Sequence, residues 1–209
     1  MDKIVCVGKN YLEHASELGD AIPEMPVLFL KPRSSLRSVE KNEETVEVEF
    51  PKNRGSLHHE CEIVIRLSKG GSHLSLQEAK EAIQDVTLGL DMTLRDVQTK
   101  LKKNGHPWEM GKVFVGSAIL GPWVQISDFP NFENTQFSFS LEGRVRQKGR
   151  ASEMRLSIPE CIVYASQHFP LCPGDLIFTG TPAGVGEVNL GQTAELNWTN
   201  RIQYKVKWI

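Results

Sequence analysis

His58-His59-Glu60-Cys61-Glu62-Ile63-Val64-Ile65 is the stretch around which the chain is organised. The apolar, largely β-branched residues after Cys61, closed by Lys69-Gly70-Gly71, predict a strand. Residues two apart on a strand share a side, so Glu60 and Glu62 are expected on one face, with Cys61 and Ile63 on the other. Adjacent carboxylates repel unless one is protonated, a Lys or Arg bridges them, or a hard divalent cation takes their oxygens. A solvated acidic strand face is the plain alternative.

The 209 residues suffice for one domain with a sizeable core, and 40% apolar with 24% charged residues is ordinary for a soluble globular protein. A formal net charge of -2 gives no case for a nucleic-acid partner. Cys6, Cys61, Cys161 and Cys172 form no CxxC pair, which argues against a zinc site or a disulfide framework. There is no basic segment leading into an apolar signal-like run, and no apolar run long enough to span a bilayer. A reduced, cytoplasmic, soluble protein without a membrane role is the expectation.

Outward from the paired glutamates, strands dominate. Lys3 to Val7, Val27 to Pro32, Thr45 to Phe50, Val86 to Asp91, Phe137 to Leu141 and Leu176 to Thr179 read as strands, and Ala194 to Trp198 with Ile202 to Trp208 as a hairpin. Val46, Val48 and Phe50 alternate with glutamates, the pattern of a half-buried antiparallel strand with a wet acidic face. Glu142-Gly143 is a hairpin signal. Ser75 with Glu78 and Ser157 with Glu160 have the form of capping boxes, opening helices through about Gln84 and His168. Tyr11 to Gly19 predicts a short helix, and Thr93 to Lys103 another with Leu94, Val97 and Leu101 inward. Trp108 to Gly121 reads as a loop and strand that carries Lys112. Helices do not alternate with strands as βαβ units would, so the expected class is α+β.

Several polar residues stand where chemistry could occur. Asp91, ending an apolar strand, is a natural third ligand beside Glu60 and Glu62, or simply the cap of the next helix. Three carboxylates with open positions suit Mg²⁺ or Mn²⁺ rather than zinc. Glu17 lies one helical turn from His14 and could orient its imidazole, although a surface pair has the same spacing. Lys31 and Lys112 sit beside apolar strands, where a cation meets an anion or reaches solvent. Arg95 is suited to carboxylate recognition and shares a helix face with Gln98, and that face could also be merely exposed. The glycine-rich loop Thr179 to Gly186 could offer backbone N–H groups to an anion, but it lacks a P-loop ending. His58, His59, His73, His106 and His168 show no ligand spacing.

Taken together and in order, the segments VCVGKNYLEHASEL (5–18), VLFLKP (27–32), LHHECEI (57–63), LDMTLRDVQTKLKKNGHPWEMGKVF (90–114) and GDLIFTGTPAGVG (174–186) cover nearly the whole chain. In this order they resemble the fumarylacetoacetate hydrolase family, in particular its short single-domain acylpyruvases. Gly111 and Val113 flank Lys112 where close relatives often carry Ala, and Ser or Ala, a departure that could shift the lysine slightly.

The resemblance implies a β-rich roll of mixed sheets, of the fumarylacetoacetase C-terminal type, as one domain over 1–209. It implies a lid and dyad segment within 1–26, and a homodimer. It implies Glu60, Glu62 and Asp91 as ligands of Mg²⁺ or Mn²⁺, His14 and Glu17 as a water-activating dyad, and Lys112 as a catalytic cation. Lys31, Arg95, Gln98 and Thr181 match substrate-pocket positions.

The implied partner is a small 2-oxo or β-diketo acid. The first expectation is hydrolysis of a carbon–carbon bond in a 3-acylpyruvate such as acetylpyruvate or fumarylpyruvate, leaving pyruvate enolate at the metal. Oxaloacetate tautomerisation or decarboxylation, and hydroxydienedioate isomerisation, pass through the same kind of enolate and stand as alternatives. A non-catalytic, metal-dependent organic-acid binder is a further one.

Overall fold

The paired-glutamate stretch does not form one strand. In the computed structural model, which describes residues 1–11 and 25–209, it breaks at Glu60 into Leu57–His59 and Cys61–Leu67. The first piece pairs with Thr93–Leu94 and Gly186–Glu187 in a three-stranded sheet. The second is central in an eight-stranded mixed sheet, between Leu176–Phe178 and Ile83–Asp91. Glu60 is therefore the corner where the chain passes from one sheet to another, and the single-strand expectation is corrected there.

The eight-stranded sheet is buried on both faces, which explains the long apolar runs of its strands. Cys61, Ile63, Ile65 and Leu67 face the larger core with Val5, Leu88 and Ile177. Val64 faces a smaller one with Cys6, Phe29, Leu120 and Phe178. Glu62 shares a face with Val64 by the two-residue period, so a carboxylate stands at the end of an apolar surface.

Register brings a second carboxylate beside it. Glu62 pairs with Gly89, and Asp91 lies two residues further along the same strand, hence on the same face. Gly89 keeps that approach open: a Cβ there would lie 2.8 Å from both the Ile119 carbonyl oxygen and Val64 Cγ2.

The remaining strands Arg144–Gly149, Phe137–Leu141, Thr193–Trp198, Ile202–Trp208 and Thr45–Val48 form a five-stranded sheet in that order. Its alternating residues bury Phe137, Phe139, Leu196, Trp198, Tyr204 and Val206 in the larger core. The turn at Glu142 and Gly143 takes φ of 50° and 72°, the left-handed pair that a tight hairpin needs. Thr45–Val48 has the expected half-buried alternation, but it runs parallel to Ile202–Trp208 instead of antiparallel to a neighbour.

The helices Leu76–Ala82 and Ile158–His168 pack together, each opened by its expected serine–glutamate pair. The helix foreseen from Thr93 begins at Arg95, because Thr93 and Leu94 are taken by the three-stranded sheet. The architecture is α+β and sheet-rich, as expected. Among the described residues no helix is long and apolar enough to cross a membrane.

Candidate metal centre and acid pocket

Each element above delivers one charged group to a single point. Glu60 sits at the sheet-to-sheet corner, Glu62 on the central strand and Asp91 at the end of its neighbour. All three are buried, at 5%, 3% and 1% exposure. One carboxylate oxygen from each lies within 4.8 Å of the others. The Asp91 amide donates to the Glu60 carbonyl at 2.9 Å, which pins the corner against the strand end. Asp91 is therefore not a helix cap; the helix after it begins at Arg95, and its N-cap residue, Leu94, offers no side-chain bond.

Three cations answer the three acids. Lys112 Nζ donates to Glu60 Oε2 at 2.8 Å, Asp91 Oδ2 at 2.7 Å and Thr93 Oγ1 at 2.7 Å, so its three protons are all placed. Burial works against its charge, but Asp91 and Glu60 outweigh it and hold the ammonium above its ordinary value. Lys112 ends a one-turn helix, Glu109–Lys112, where a strand was expected. That helix packs closely on Arg95–Lys103: a Cβ at Gly111 would lie 3.0 Å from the Gln98 backbone nitrogen. Gly111 thus permits a tight helix approach beside the lysine.

Lys31 is fully buried and pairs with Asp91 Oδ1 at 2.7 Å while donating to the carbonyls of Met92 and Ser117 at 3.1 and 2.6 Å. Its donors are committed inside the protein, and Lys31 does not line the pocket over the acids. Arg95 donates from one terminal nitrogen to Glu60 Oε1 and from the other to Gln98 Oε1, the latter at 2.7 Å. Its Nε is buried and has no hydrogen-bond partner among the described residues. Gln98 orients the guanidinium and, with Arg95, lines a pocket over the acids.

Glu62 differs from its two neighbours. Burial pushes its carboxyl well above the ordinary carboxylate range, Asp91 and Glu60 push it further, and the Gly180 N–H and Lys112 only partly restrain it. The Gly180 N–H donates to Glu62 Oε2 at 2.7 Å. The glycine-rich loop does present an N–H to an anion, and that anion is the protein's own. Gly180 is required there, with φ of 102° and an added Cβ only 2.9 Å from Asn10 Cβ. Buried oxygen-only donors, one of them forced toward neutrality, fit a hard divalent cation.

Thr181 also lines the pocket, but its hydroxyl donates to the Cys61 carbonyl at 2.8 Å and accepts from Gln147 at 2.7 Å. His14 and Glu17 lie outside the described residues. Residues the sequence did not single out complete the pocket: Lys9, Lys102, Phe29 and Trp108 line it, and Phe29 lies 4.9 Å beneath the Lys112 ammonium. Asn10, fully buried, ties the turn after the first strand to Thr179 and Leu156 through bonds of 2.8–3.0 Å. Its only sequence signal is its place after Gly8-Lys9.

Residues 3–205 match the model of the fumarylacetoacetate (FAA) hydrolase C-terminal family. The chain belongs to the fumarylacetoacetate hydrolase family. It is 39% identical over 203 residues to the mitochondrial oxaloacetate tautomerase fahd-1 of Caenorhabditis elegans, covering 97% of this chain and 92% of that one. To the oxaloacetate tautomerase YcgM of Escherichia coli it is 38% identical over 192 residues, covering 91% and 85%. The crystal structure of fumarylpyruvate hydrolase from Pseudomonas aeruginosa, in complex with Mn²⁺ and pyruvate, superposes with a TM-score of 0.88 at 34% identity. That match covers 100% of this chain and 91% of the other. The protein is an enzyme of the fumarylacetoacetate hydrolase family, and its sheet-rich α+β architecture is the one the family shares.

Proposed function

We propose that this enzyme interconverts the keto and enol forms of a small 2-oxo dicarboxylate, with oxaloacetate as substrate, at a divalent cation held by Glu60, Glu62 and Asp91. The observation that carries the proposal is the charge balance of the buried cluster. Once a cation has displaced the Glu62 proton, three carboxylates face three cations in the cluster, Lys31, Lys112 and Arg95, and Lys9 and Lys102 line the same pocket. A divalent cation added to that set leaves an excess of positive charge, which favours a dianion, oxaloacetate or fumarylpyruvate, over a monoanion such as acetylpyruvate. Between the two dianions, the relatives named oxaloacetate tautomerases favour oxaloacetate.

When bound, Mg²⁺ or Mn²⁺ supplies Lewis-acid polarisation of a 2-oxo group. The protein does the remainder. Arg95 offers its spare Nε–H to a substrate carboxylate, and Gln98 holds the guanidinium in place for it. Lys112 keeps a fixed positive charge beside the site where enolate charge develops, already oriented before substrate arrives. Phe29 and Trp108 give the pocket an apolar wall that limits water. His14 is the proton carrier between C3 and the enol oxygen in this reading.

Hydrolysis of a 3-acylpyruvate is the second reading, favoured by the His14–Glu17 spacing and by the fumarylpyruvate hydrolase likeness. The two separate in one assay with Mg²⁺ or Mn²⁺ on oxaloacetate, acetylpyruvate and fumarylpyruvate. Tautomerisation that outpaces every cleavage, and that falls in His14→Ala, is the expected result. Cleavage of either acylpyruvate faster than tautomerisation would reverse the order.

The raised Glu62 carboxyl adds a pH prediction. In the metal-free fold burial and the two neighbouring acids favour its protonated form, so its contribution to metal-free stability is complete at low pH and fades as pH rises through the raised value. A cation must displace that proton. Mn²⁺ binding should therefore release protons, fewer as pH rises, read by calorimetry in buffers of different ionisation enthalpy; Glu62→Gln should abolish the release.

A further inference from the structure

The pocket does not explain how the corner at Glu60 and the loop at Gly180 are held at the right separation. We infer that Gln147 is a positioning residue that sets this spacing, and through it the affinity of the acidic cluster for a divalent cation. The inference rests on the reading of Glu60, Glu62 and Asp91 as the cation's ligands. Gln147 belongs to the edge strand Arg144–Gly149, where it and Gly149 are the only buried residues. A fully saturated buried amide on an otherwise exposed edge strand needs a reason.

The reason lies in what the amide joins. Gln147 Nε2 donates to the Pro182 carbonyl at 2.8 Å and to Thr181 Oγ1 at 2.7 Å. Because a carbonyl can only accept, this fixes which end of the amide is nitrogen. The other end, Oε1, accepts from the Cys61 amide at 3.0 Å and lies 2.9 Å from His59 Nδ1, which must then carry the proton. Stacking of His59 on Phe139, with ring centroids 4.1 Å apart, holds that donor in place. Thr181 closes the ring by donating to the Cys61 carbonyl at 2.8 Å.

Cys61 is the residue between Glu60 and Glu62, and Thr181 follows the Gly180 whose N–H holds Glu62. One side chain therefore grips both backbone segments on which the acidic cluster hangs. Gln147 does not itself line the pocket, and of the residues that do it bonds to Thr181. Groups that orient metal ligands from behind typically change metal affinity by about 10–100-fold when removed.

The test uses the full chain and Mn²⁺, with affinity by calorimetry and stability by thermal unfolding in chelator. Gln147→Met keeps the volume and removes all four bonds, and should weaken Mn²⁺ binding by about 10–100-fold. Gln147→Asn, one methylene shorter, should fall between it and the parent. Trp198→Phe loses a bond to the Thr135 carbonyl in an aromatic cluster that shares no hydrogen bond with Gln147, and should lower stability without moving Mn²⁺ affinity. A parent-like affinity in folded Gln147→Met overturns the inference. If that variant does not fold, parent-like affinity in Gln147→Asn does so, and failure of both to fold makes the residue a determinant of the fold and overturns it too. Glu62→Ala separates the two levels: unchanged affinity there sinks the ligand reading itself, whereas loss there with no effect at Gln147 sinks only this inference.

Discussion

Lys112→Met is expected to reduce turnover by about 10²–10³-fold, the usual cost of removing one preorganised charge from a developing anion. Its effect on cation binding should have the opposite sign. With the ammonium gone, Glu60 and Asp91 lose the partner that holds them at 2.8 and 2.7 Å, so their attraction for Mn²⁺ should be kept or strengthened. The metal-free variant keeps Arg95 on Glu60 and Lys31 on Asp91 but leaves Glu60 Oε2, Asp91 Oδ2 and Thr93 Oγ1 without their donor, a defect worth about 1–3 kcal/mol. Urea unfolding in chelator should show that loss, and Mn²⁺ should restore most of it. Lys112→Arg should not rescue turnover, because a planar fork cannot reproduce three single bonds to Glu60, Asp91 and Thr93. Activity within a few-fold of the parent would show that the lysine is structural only.

Glu62→Ala should fail in the complementary way. Removing one of three oxygen donors is expected to weaken Mn²⁺ binding by at least about 100-fold, or about 3 kcal/mol, and activity should fall with it. The metal-free fold should survive. The variant gives up a buried carboxyl held near neutrality, and its main cost is the unpaired Gly180 N–H, about 1–3 kcal/mol. Calorimetry and chelator-state unfolding measure the two parts separately. Parent-like Mn²⁺ affinity would remove Glu62 from the site.

The pair of variants also shows what could be read from residues alone. Glu60, Glu62 and Asp91 were legible because acids standing in or beside apolar strands need partners, and strand periodicity places such acids on a common face. The capping pairs at Ser75 and Ser157 and the hairpin at Glu142-Gly143 were legible because their signals are local. The break at Glu60 was not, since nothing local says that a continuous β pattern will divide between two sheets. Thr45–Val48 has an alternation that does not distinguish a parallel neighbour from an antiparallel one. Lys112 could be picked out by resemblance, but its three-way bridge depends on a one-turn helix seated by Gly111 against Gln98. Gln147 gave no signal: a glutamine between Arg146 and Lys148 looks like part of a polar edge until the other sheet is packed against it.

Enolisation at a cation held by the three acids is tested most directly by following the decay of enol-oxaloacetate in the ultraviolet, with enzyme first stripped by chelator and then titrated with Mn²⁺. The expected trace returns to the buffer rate after stripping, and acceleration is regained at one Mn²⁺ per chain in the parent but not in Glu62→Ala. A catalysed decay that is indifferent to chelation, or equally restored in Glu62→Ala, would contradict it.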